Sequence, residues 1–440
     1  MGRDQQAAAD VEREVARRLQ ELAGRGIQPG LERVAGLLAA LGNPQRQLRC
    51  VHLAGTNGKG STAAILAAVL QEQGYRVGTY SSPHLHSYRE RIRVGGTPVS
   101  AGELLEYLRR VEEAGSAHAA TEFEVLTAAA LRYLADRAVD IAVVEVGMGG
   151  TYDATNLVVP DVAVITSVAL DHAAFLGDTL QQVAVNKAGI IKPGAEVVAG
   201  AMPAEAAAVV REVCQRQGAC LWWAPEVIQV EALSPPGLEG TRVSIRGPQM
   251  ETGPLHFALP GLYQLENLAT AMAVVWRLRC RGWQVSAQAI AHGLGRVRWP
   301  GRLEVVRAEP LVVVDAAHNP QGAEALDVSL ARMLPGRPRL LVCGVLDDKD
   351  AEGILRPLCR DALQVIVTRP EGVRSRQWMR AAQAARAAGV PVEVEEDIRA
   401  AVDAALAACP AEGYVVVAGS FYVIDRARAH LLGGGDGLIT

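Results

Sequence analysis

Short apolar runs alternate with longer helical stretches along most of this chain, and the alternation limits the folds that it can adopt. Four runs lie in the first part and four in the last: LRCVHLAG, RVGTYSS, VDIAVVEVG, DVAVITSV, LVVVDAAH, RLLVCGV, LQVIVTRP and YVVVAGS. Strands that are apolar throughout are typical of parallel sheets covered by helices on both faces. The sequence therefore predicts an α/β protein with two parallel sheets.

A break between the two sets of strands predicts where the chain divides. In RVRWPGRLE, Pro300 and Gly301 interrupt a helical pattern just before the second set begins. We predict a boundary near residue 298, with a larger domain over residues 1–298 and a smaller one over residues 299–440. The segment from Trp222 to Pro260 is rich in Pro and Gly and is expected to form a small antiparallel excursion from the first domain.

Composition bears on the class of partner and on the compartment. The chain has 44 basic and 48 acidic residues, and its net charge of −4 gives no sign of the broad positive surface that binds nucleic acid. Its 7 cysteines are scattered without a CxxC pair, as is typical of reduced thiols in the cytosol. The apolar runs are too short to span a membrane, and the charged first twenty residues argue against a signal peptide. We expect a cytoplasmic monomer that acts on small molecules.

One glycine-rich loop has the features of a phosphate site. In VHLAGTNGKGS, a strand runs into a loop and STAAILAAVLQEQ then predicts a helix. Gly55, Gly58 and Gly60 let the main chain turn its N–H groups toward an anion, the helix N-terminus adds a favourable dipole, and Lys59 offers positive charge to the outer phosphates. The spacing differs from the common GxxxxGKS/T loop, because Gly60 separates Lys59 from Ser61. A glycine turn without a ligand is the alternative, but strand, lysine and helix together favour nucleotide binding.

Two further strands end in polar residues. Glu145 closes the run VDIAVVEVG, and Asp171 and His172 follow DVAVITSVAL. Ligands of parallel sheets bind beyond the carboxyl ends of the strands, so these residues are expected at the same edge as the loop. A carboxylate and an imidazole beside polyphosphate indicate Mg²⁺. The alternatives are that Glu145 caps a helix and that His172 is a satisfied polar residue.

Further segments accompany the loop in a defined order: GLERVAGLLAALGNP, YSSPHLHSYRERI, TEFEVLTAAA, EVGMGGTYDATN, DHAAFLGDTL, NKAGIIKPG, LPGLYQLENLATA, WPGRLE, DAAHNP and GSFY. With GTNGKGS, they resemble the folylpolyglutamate synthase and dihydrofolate synthase family, a branch of the Mur ligase superfamily. The resemblance covers nearly the whole chain. It implies a P-loop-containing, parallel-sheet ATPase domain over residues 1–298 and a smaller Rossmann-like α/β ligase domain over residues 299–440.

The resemblance also implies an activity. A carboxylate is a poor electrophile, and family members phosphorylate it with ATP before the amine of L-glutamate attacks the acyl phosphate. Cationic groups and metal charge must offset the repulsion between the anionic acceptor and the γ-phosphate. The implied acceptor is dihydropteroate, a reduced folate, or both.

The residues implied for metal and nucleotide match family positions one by one. Two Mg²⁺ ions are assigned to Ser82, Glu145, His172 and Lys187, the lysine being carbamylated by CO₂ and the Ser82–Pro83 peptide bond cis. The resemblance implies that the nucleotide is held by Asn57, Gly58, Lys59, Gly60, Ser61, Asn267, Arg302, Asp315 and His318. It assigns Arg302 to the terminal phosphate, Asp315 to the ribose and Asn267 to the adenine, and it implies that Lys59, Glu145, His172, Lys187 and Arg302 are catalytic. Otherwise Ser82 is a solvated turn residue, Lys187 a surface charge and Arg302 the partner of a surface acid.

The acceptor side is implied in the same way, by Thr121, Phe123, Glu124, Tyr152, Asp153 and Ala154. The first three also fit an amphipathic helix with a threonine cap, and both interpretations can hold. The chain departs from the family at Thr151-Tyr152, where Arg-Leu or Arg-Phe is usual, at Asn186, where Glu is usual, and at Tyr263, where His is usual. Because the first departure lies near the acceptor, it bears on the pterin substrate rather than on ATP.

Two other functions remain open at this point. Another Mur-type ligase would join an amino acid to a cell-wall precursor or peptide, and TEFEVLT and YSSPHL favour the folate branch over it. A non-catalytic nucleotide-dependent interaction protein need not keep Glu145, His172, Lys187, Arg302 and Asp315 together.

Overall fold

The computed structural model describes residues 3–114, 119–372 and 374–433. It divides into two compact units. Of the described residues, the first unit takes those within 1–231, 244–255 and 266–297, and the second takes those within 232–243, 256–265 and 298–440. Across the described ranges, no helix is both long enough and apolar enough to cross a bilayer.

The α-helices of the described ranges are α1 (Arg3–Ala23), α2 (Glu32–Ala40), α3 (Lys59–Glu72), α4 (Ala101–Glu113), α5 (Glu122–Asp136), α6 (Ala173–Leu176), α7 (Leu180–Ala188), α8 (Ala204–Gln217), α9 (Ala224–Val227), α10 (Tyr263–Cys280), α11 (Ala287–Arg296), α12 (Pro320–Met333), α13 (Ala351–Leu358), α14 (Met379–Ala387), α15 (Ile398–Ala408) and α16 (Phe421–Leu431).

The strands of the same ranges are β1 (Cys50–Ala54), β2 (Val77–Tyr80), β3 (Ile92–Val94), β4 (Thr97–Pro98), β5 (Ile141–Glu145), β6 (Val162–Ile165), β7 (Glu196–Ala199), β8 (Cys220–Trp223), β9 (Gln229–Ala232), β10 (Thr241–Gly247), β11 (Met250–Phe257), β12 (Glu304–Arg307), β13 (Leu311–Val314), β14 (Arg339–Cys343), β15 (Ala362–Val367), β16 (Val392–Val394) and β17 (Tyr414–Ala418). Each of the apolar runs predicted from the sequence contains a strand.

The first unit is built on a sheet with the strand order β4-β3-β2-β5-β1-β6-β7-β8 among the described residues. From β2 to β8 the pairing is parallel, and β3 and β4 add an antiparallel edge. All residues of β1, β5 and β6 are buried, which explains why these strands are apolar throughout. The carboxyl ends of β2, β5, β1 and β6 are therefore neighbours at one edge.

The second unit contains a sheet in the order β12-β13-β17-β14-β15-β16. Its strands are parallel except for β12, which pairs antiparallel with β13. Two parallel sheets are thus confirmed, each with an antiparallel edge that the sequence pattern did not indicate. The excursion predicted after Trp222 forms a three-stranded sheet, β11-β10-β9, but its residues divide between the two units instead of belonging to the first.

Small aliphatic side chains fill the cores, as the aromatic content of 4% requires. In α5, Ala128, Ala129 and Ala130 are all fully buried, so this helix packs closely with residues that have little side-chain entropy to lose. A capping box at Thr121 and Glu124 fixes where α5 begins. The position and direction of the first turn of α5 are therefore fixed.

Candidate active site

The glycines of the phosphate loop lie where no side chain fits. Gly55 has φ +156° and Gly58, which caps α3, has φ +86°. A Cβ atom on Gly55 would lie 1.9 Å from Thr166 Oγ1, and one on Gly58 would lie 2.3 Å from Asn267 Oδ1. The helix begins at Lys59, two residues before the predicted Ser61. The main chain therefore turns tightly into a helix N-terminus, the arrangement that binds phosphate.

The loop after β6 holds this turn in place. Thr166 Oγ1 donates to the carbonyl of Asn57 at 2.7 Å, and Ser167 Oγ donates to the same carbonyl at 3.0 Å. The Thr56 amide donates to the Ser167 carbonyl at 2.9 Å. Sequence reasoning assigned no role to Thr166 and Ser167. The sequence feature that could have indicated their role is their position at the end of β6, the strand that pairs with β1.

Lys59 and Glu145 meet at the centre of this edge. Lys59 Nζ donates to the carbonyl of Gly55 at 3.0 Å and lies 4.0 Å from Glu145 Oε1. Glu145 is buried, and its Oε2 accepts the main-chain N–H of Ser82 at 3.4 Å. The Ser82–Pro83 peptide bond is cis. A cation, a carboxylate and the hydroxyl-bearing Ser82 thus converge from α3, β5 and the end of β2.

Other predicted nucleotide residues of this unit lie around the same turn. Ser61 is buried in the first turn of α3, and the Thr62 amide donates to the Gly58 carbonyl at 2.9 Å. Gly60 also lies in that first turn, and Asn267 of α10 borders Gly58. Asn57 receives the two hydroxyl donors from the loop after β6. The structure therefore brings Asn57, Gly58, Lys59, Gly60, Ser61 and Asn267 together.

His172 lies on the loop that follows β6, in a left-handed conformation with φ +52°. Its main-chain N–H donates to Asp171 Oδ1 at 2.8 Å, and its Nε2 lies 3.9 Å from Asp171 Oδ2. Asp171, which sequence reasoning mentioned without a role, therefore holds the segment that presents the histidine. The side chain of His172 is partly exposed.

Lys187 is buried in α7 instead of lying at the surface, with 3% of its area exposed. Burial above all, together with the charge of Lys59, lowers the pKa of its ammonium to about 7, while Asp171 and Asp153 oppose the shift. A lysine with this pKa is partly neutral at physiological pH and can act as a nucleophile.

Thr121, Phe123 and Glu124 are fixed by local contacts at the start of α5. Glu124 Oε2 accepts the Thr121 amide at 2.8 Å, and Arg33 forms an ion pair with Glu124 at 3.0 Å. The ring of Phe123 stacks on Tyr80 and fills the space beside Gly147, where a Cβ would lie 2.4 Å from it. Glu124 is thus engaged by protein groups, whereas Phe123 links the helix to the loop after β5.

A buried hydrogen-bond chain holds Asp153, and the neighbouring Ala154 is buried in the hydrophobic core. Asp153 accepts the amide of Met148 at 2.9 Å and the hydroxyl of Thr155. Thr155 Oγ1 in turn lies 2.8 Å from Nε2 of His52, a fully buried residue of β1 whose pKa burial lowers to about 3. Because the threonine proton goes to Asp153, the neutral imidazole donates to Thr155. Tyr152, by contrast, is 59% exposed and available for contact.

Two departures from the family are neighbours in space. The amide and the hydroxyl of Thr151 both donate to the carbonyl of Asn186, at 2.9 Å and 3.0 Å. Asn186 Oδ1 also fills the space beside Gly149. The residue before Lys187 therefore supports the loop that carries Tyr152 and Asp153.

In the second unit, the carboxylate of Asp315 accepts hydrogen bonds from three segments of the chain. Its Oδ2 accepts the Tyr263 hydroxyl at 2.9 Å and the Leu303 amide at 2.9 Å, and its Oδ1 accepts the Ala317 amide at 2.8 Å. Asp315 is 3% exposed, and burial raises its pKa while Arg302 opposes the shift. LPGLY, WPGRLE and DAAHNP are thus tied to one carboxylate.

Arg302 and His318 share one aromatic neighbour. The Arg302 guanidinium lies 5.2 Å from the ring centre of Phe421, and the His318 ring lies 5.6 Å from it. His318 Nδ1 lies 2.8 Å from the Ala316 carbonyl. Phe421 comes from GSFY, which sequence reasoning quoted without assigning a role. The second unit therefore groups Arg302, Asp315 and His318 around two strand ends.

The donor set of the first unit fits a magnesium ion that phosphate oxygens and water complete. Glu145 offers a buried carboxylate and Ser82 a hydroxyl, and Mg²⁺ in nucleotide sites commonly takes one or two protein oxygens. Within the described ranges, no three or more His, Cys, Asp and Glu side chains group as a complete metal cage. A site that depends on the nucleotide agrees with both observations.

Two known protein families match successive parts of this chain. Residues 53–275 match the Mur ligase middle domain, and residues 301–421 match the Mur ligase glutamate ligase domain. Folylpolyglutamate synthase of Lacticaseibacillus casei is 36% identical over 91% of this chain and 94% of its own.

Two solved structures extend the comparison to three dimensions. Mycobacterium tuberculosis folylpolyglutamate synthase complexed with ADP superposes with a TM-score of 0.90 and 33% identity, covering 98% of this chain and 100% of the other. A bifunctional folylpolyglutamate synthase/dihydrofolate synthase with Mn, AMPPNP and L-glutamate bound gives a TM-score of 0.84 and 32% identity, covering 95% and 98%. This chain therefore belongs to the folylpolyglutamate synthase and dihydrofolate synthase family of Mur ligases.

Proposed function

We propose that this protein is an ATP-dependent ligase that joins L-glutamate to the carboxylate of a folate-type acceptor, either dihydropteroate or a reduced folate. The observation that carries the proposal is the Lys59–Glu145 pair at 4.0 Å, set on a glycine loop that turns into the N-terminus of α3. Relatives that carry the family name cover this chain almost from end to end, and one was solved with L-glutamate and a nucleotide analogue.

The chemistry follows from charge. The acceptor carboxylate attacks the γ-phosphorus, the bond to ADP breaks, and an acyl phosphate forms. The glutamate amine then adds to the acyl carbon and gives up a proton, and the tetrahedral intermediate breaks its bond to phosphate, which leaves as inorganic phosphate while the amide forms. Lys59 and the main-chain N–H groups at the start of α3 offset the negative charge on the transferring phosphoryl group.

We assign the metal to Ser82, Glu145 and His172, with Lys187 contributing after carbamylation. Bound Mg²⁺ would supply positive charge to the phosphates. Burial of Lys187 and its lowered pKa support the modification, because a neutral amine is needed to attack CO₂. A bond forms between Lys187 Nζ and the carbon of CO₂ as the amine loses a proton. The product is a carbamate, whose anionic oxygens can bind a metal.

In the second unit we assign Arg302, Asp315 and His318 to the nucleotide, as the family resemblance implies. Arg302 is held by its contact with Phe421, which leaves its charge available for phosphate. Asp315 accepts hydrogen bonds from two main-chain amides and one phenol, and it would bind ribose through the carboxylate lone pairs that these donors do not use.

On the acceptor side, we assign Thr121, Phe123, Tyr152, Asp153 and Ala154 to the pterin and aminobenzoate rings. Phe123 and the exposed Tyr152 supply aromatic surface, and Asp153 supplies a carboxylate whose pKa burial raises. Glu124 has a supporting role in this proposal, because Arg33 and the cap of α5 engage its carboxylate.

We also infer a cytoplasmic monomer. All seven cysteines are free thiols, as is usual in a reducing compartment. Light scattering of the purified protein, with and without nucleotide, tests the oligomeric state.

The decisive experiment measures ADP formation with L-glutamate and each acceptor in turn, namely dihydropteroate, tetrahydrofolate and its diglutamate. Mass analysis of the product should show one added glutamyl residue. Glutamate-independent hydrolysis with no heavier product would contradict the proposal, and a nucleotide-sugar peptide serves as the negative control acceptor.

A further inference from the structure

The hydroxyl of Tyr263 donates to Asp315 at the point where three separate segments meet. The O···O distance is 2.9 Å, and Asp315 Oδ2 also accepts the Leu303 amide at 2.9 Å. Leu303 has φ +46°, a conformation that few leucine residues adopt without support. The residue before it is Arg302. The phenol and the strained turn that carries the arginine therefore share one carboxylate oxygen.

The surroundings of the turn leave it little freedom. The Ala316 amide donates to the Gly301 carbonyl at 2.9 Å, and the Gly301 amide donates to Glu304 Oε2 at 2.8 Å. A Cβ on Gly261 would lie 2.7 Å from Leu303 and 3.0 Å from the Tyr263 ring. The start of α10 thus packs directly on the Arg302 turn, and Tyr263 is the side chain that reaches through to Asp315.

We propose that Tyr263 is a positioning residue for the nucleotide: its phenol orients Asp315, and through Asp315 it holds the turn that carries Arg302. The inference rests on the proposed function, because Arg302 and Asp315 are assigned to ATP there. It goes beyond that assignment by giving a role to a residue that departs from the family.

The departure has a chemical consequence. The family's histidine would titrate near neutral pH, whereas a phenol ordinarily stays protonated to about pH 10. Here burial and the adjacent Asp315 charge raise the pKa of Tyr263 further, with Arg302 and Gln264 opposing. The charged groups that face the phenol are Asp315 after β13 and Arg302 in the turn before β12. The phenol therefore keeps the proton that it donates to Asp315 over the range in which a histidine would titrate.

The test compares Tyr263→Phe and Tyr263→His with Tyr414→Phe. Tyr414 is also a buried tyrosine of the second unit, but it lies at the amino end of β17, whereas Asp315 follows the carboxyl end of the neighbouring parallel strand β13. The Phe variant should lower kcat/KM for ATP about tenfold, since a lost buried hydrogen bond is worth about 1.4 kcal/mol. The KM for L-glutamate should stay within about twofold of the wild-type value, and the control variant should leave both unchanged.

Tyr263→His separates positioning from simple packing. It should restore most of kcat/KM for ATP, and the ratio of variant to wild-type values should change between pH 6 and 8 as the imidazole titrates. Taking the ratio removes the titration of ATP itself. A Phe variant with wild-type kcat/KM for ATP, or a His variant whose ratio is independent of pH, would overturn the inference.

Equilibrium binding of a non-hydrolysable ATP analogue distinguishes this inference from the proposed function. If the wild-type protein forms no glutamyl product but Tyr263→Phe still weakens analogue binding, the proposed function fails and the positioning role stands. If the wild-type protein forms the glutamyl product and the Phe variant binds the analogue as tightly as the wild type, the proposed function stands and the positioning role fails.

Discussion

Lys59 Nζ and Glu145 Oε1 lie 4.0 Å apart, joining the first residue of a helix to the last residue of a buried strand. The carboxylate is 5% exposed and the lysine side chain 15%, so solvent screens their interaction only in part. This pair places a positive charge beside a negative one at the start of α3, which suits the roles that we propose for Lys59 at the phosphates and for Glu145 at Mg²⁺.

We expect Lys59→Ala to abolish ligation while the protein stays folded. Removing the charge that faces the transferring phosphoryl group should raise the barrier by about 3 kcal/mol or more. Initial rates of ADP formation measure the loss, and thermal unfolding reports the fold. Lys59→Arg, which keeps the charge, should retain more activity than the Ala variant, and a near-normal rate for Ala would refute the role.

Gly58→Ala should weaken nucleotide binding more than its effect on stability explains. Both Gly58 and Gly74 have positive φ, but only the Gly58 site is obstructed, by Asn267 Oδ1 at 2.3 Å from the added Cβ. Gly74→Ala, with no atom within 4 Å of its Cβ, is thus a control for backbone strain of about 1 kcal/mol. Calorimetric titration with an ATP analogue compares the two, and equal affinities would contradict the obstruction.

Lys187 should make stability depend on pH in the absence of metal and CO₂. Its pKa is about 7 in the folded protein and about 10.4 when unfolded, so the unfolded state binds more protons between these values. Stability should therefore rise as pH increases from about 7 towards 10, and Lys187→Met should remove part of this rise. Melting temperatures of both proteins in CO₂-free buffer measure it, and parallel curves would show that Lys187 does not titrate there.

Lys187 should also make activity depend on CO₂. Wild-type protein depleted of CO₂ should lose activity and recover it when bicarbonate is added, whereas Lys187→Ala should be inactive in both conditions. A variant with an unchanged rate and unchanged Mg²⁺ dependence would refute the carbamylation.

Acceptor chain length should matter more here than in family members with arginine at the position of Thr151. Thr151 is bound to the Asn186 carbonyl and brings no positive charge to the added carboxylates. We expect kcat/KM to fall as the acceptor gains glutamyl residues, and Thr151→Arg to reduce that fall. Assays over acceptors with one to five glutamates decide the matter, and undiminished extension of long chains would contradict it.

Local pattern was enough to predict the two parallel sheets, the phosphate loop and the strand ends that carry Glu145 and His172. A strand that is buried on both faces must be apolar, and a tight turn needs glycine. Both features can therefore be recognised from short stretches of sequence. The family resemblance added the roles that we propose for Ser82, Lys187 and Arg302, which periodicity and spacing do not indicate.

Tertiary structure decided the rest. That Thr166 and Ser167 hold the phosphate loop, that Lys187 is buried beside Lys59, and that Tyr263 binds Asp315 all depend on segments far apart in sequence. A hydroxyl beside a strand, a lysine on an alanine-rich helix and a tyrosine at a helix start each have an ordinary surface interpretation. Only the packing of distant elements fixes the burial, charge neighbours and hydrogen-bond partners that set the chemistry of such groups.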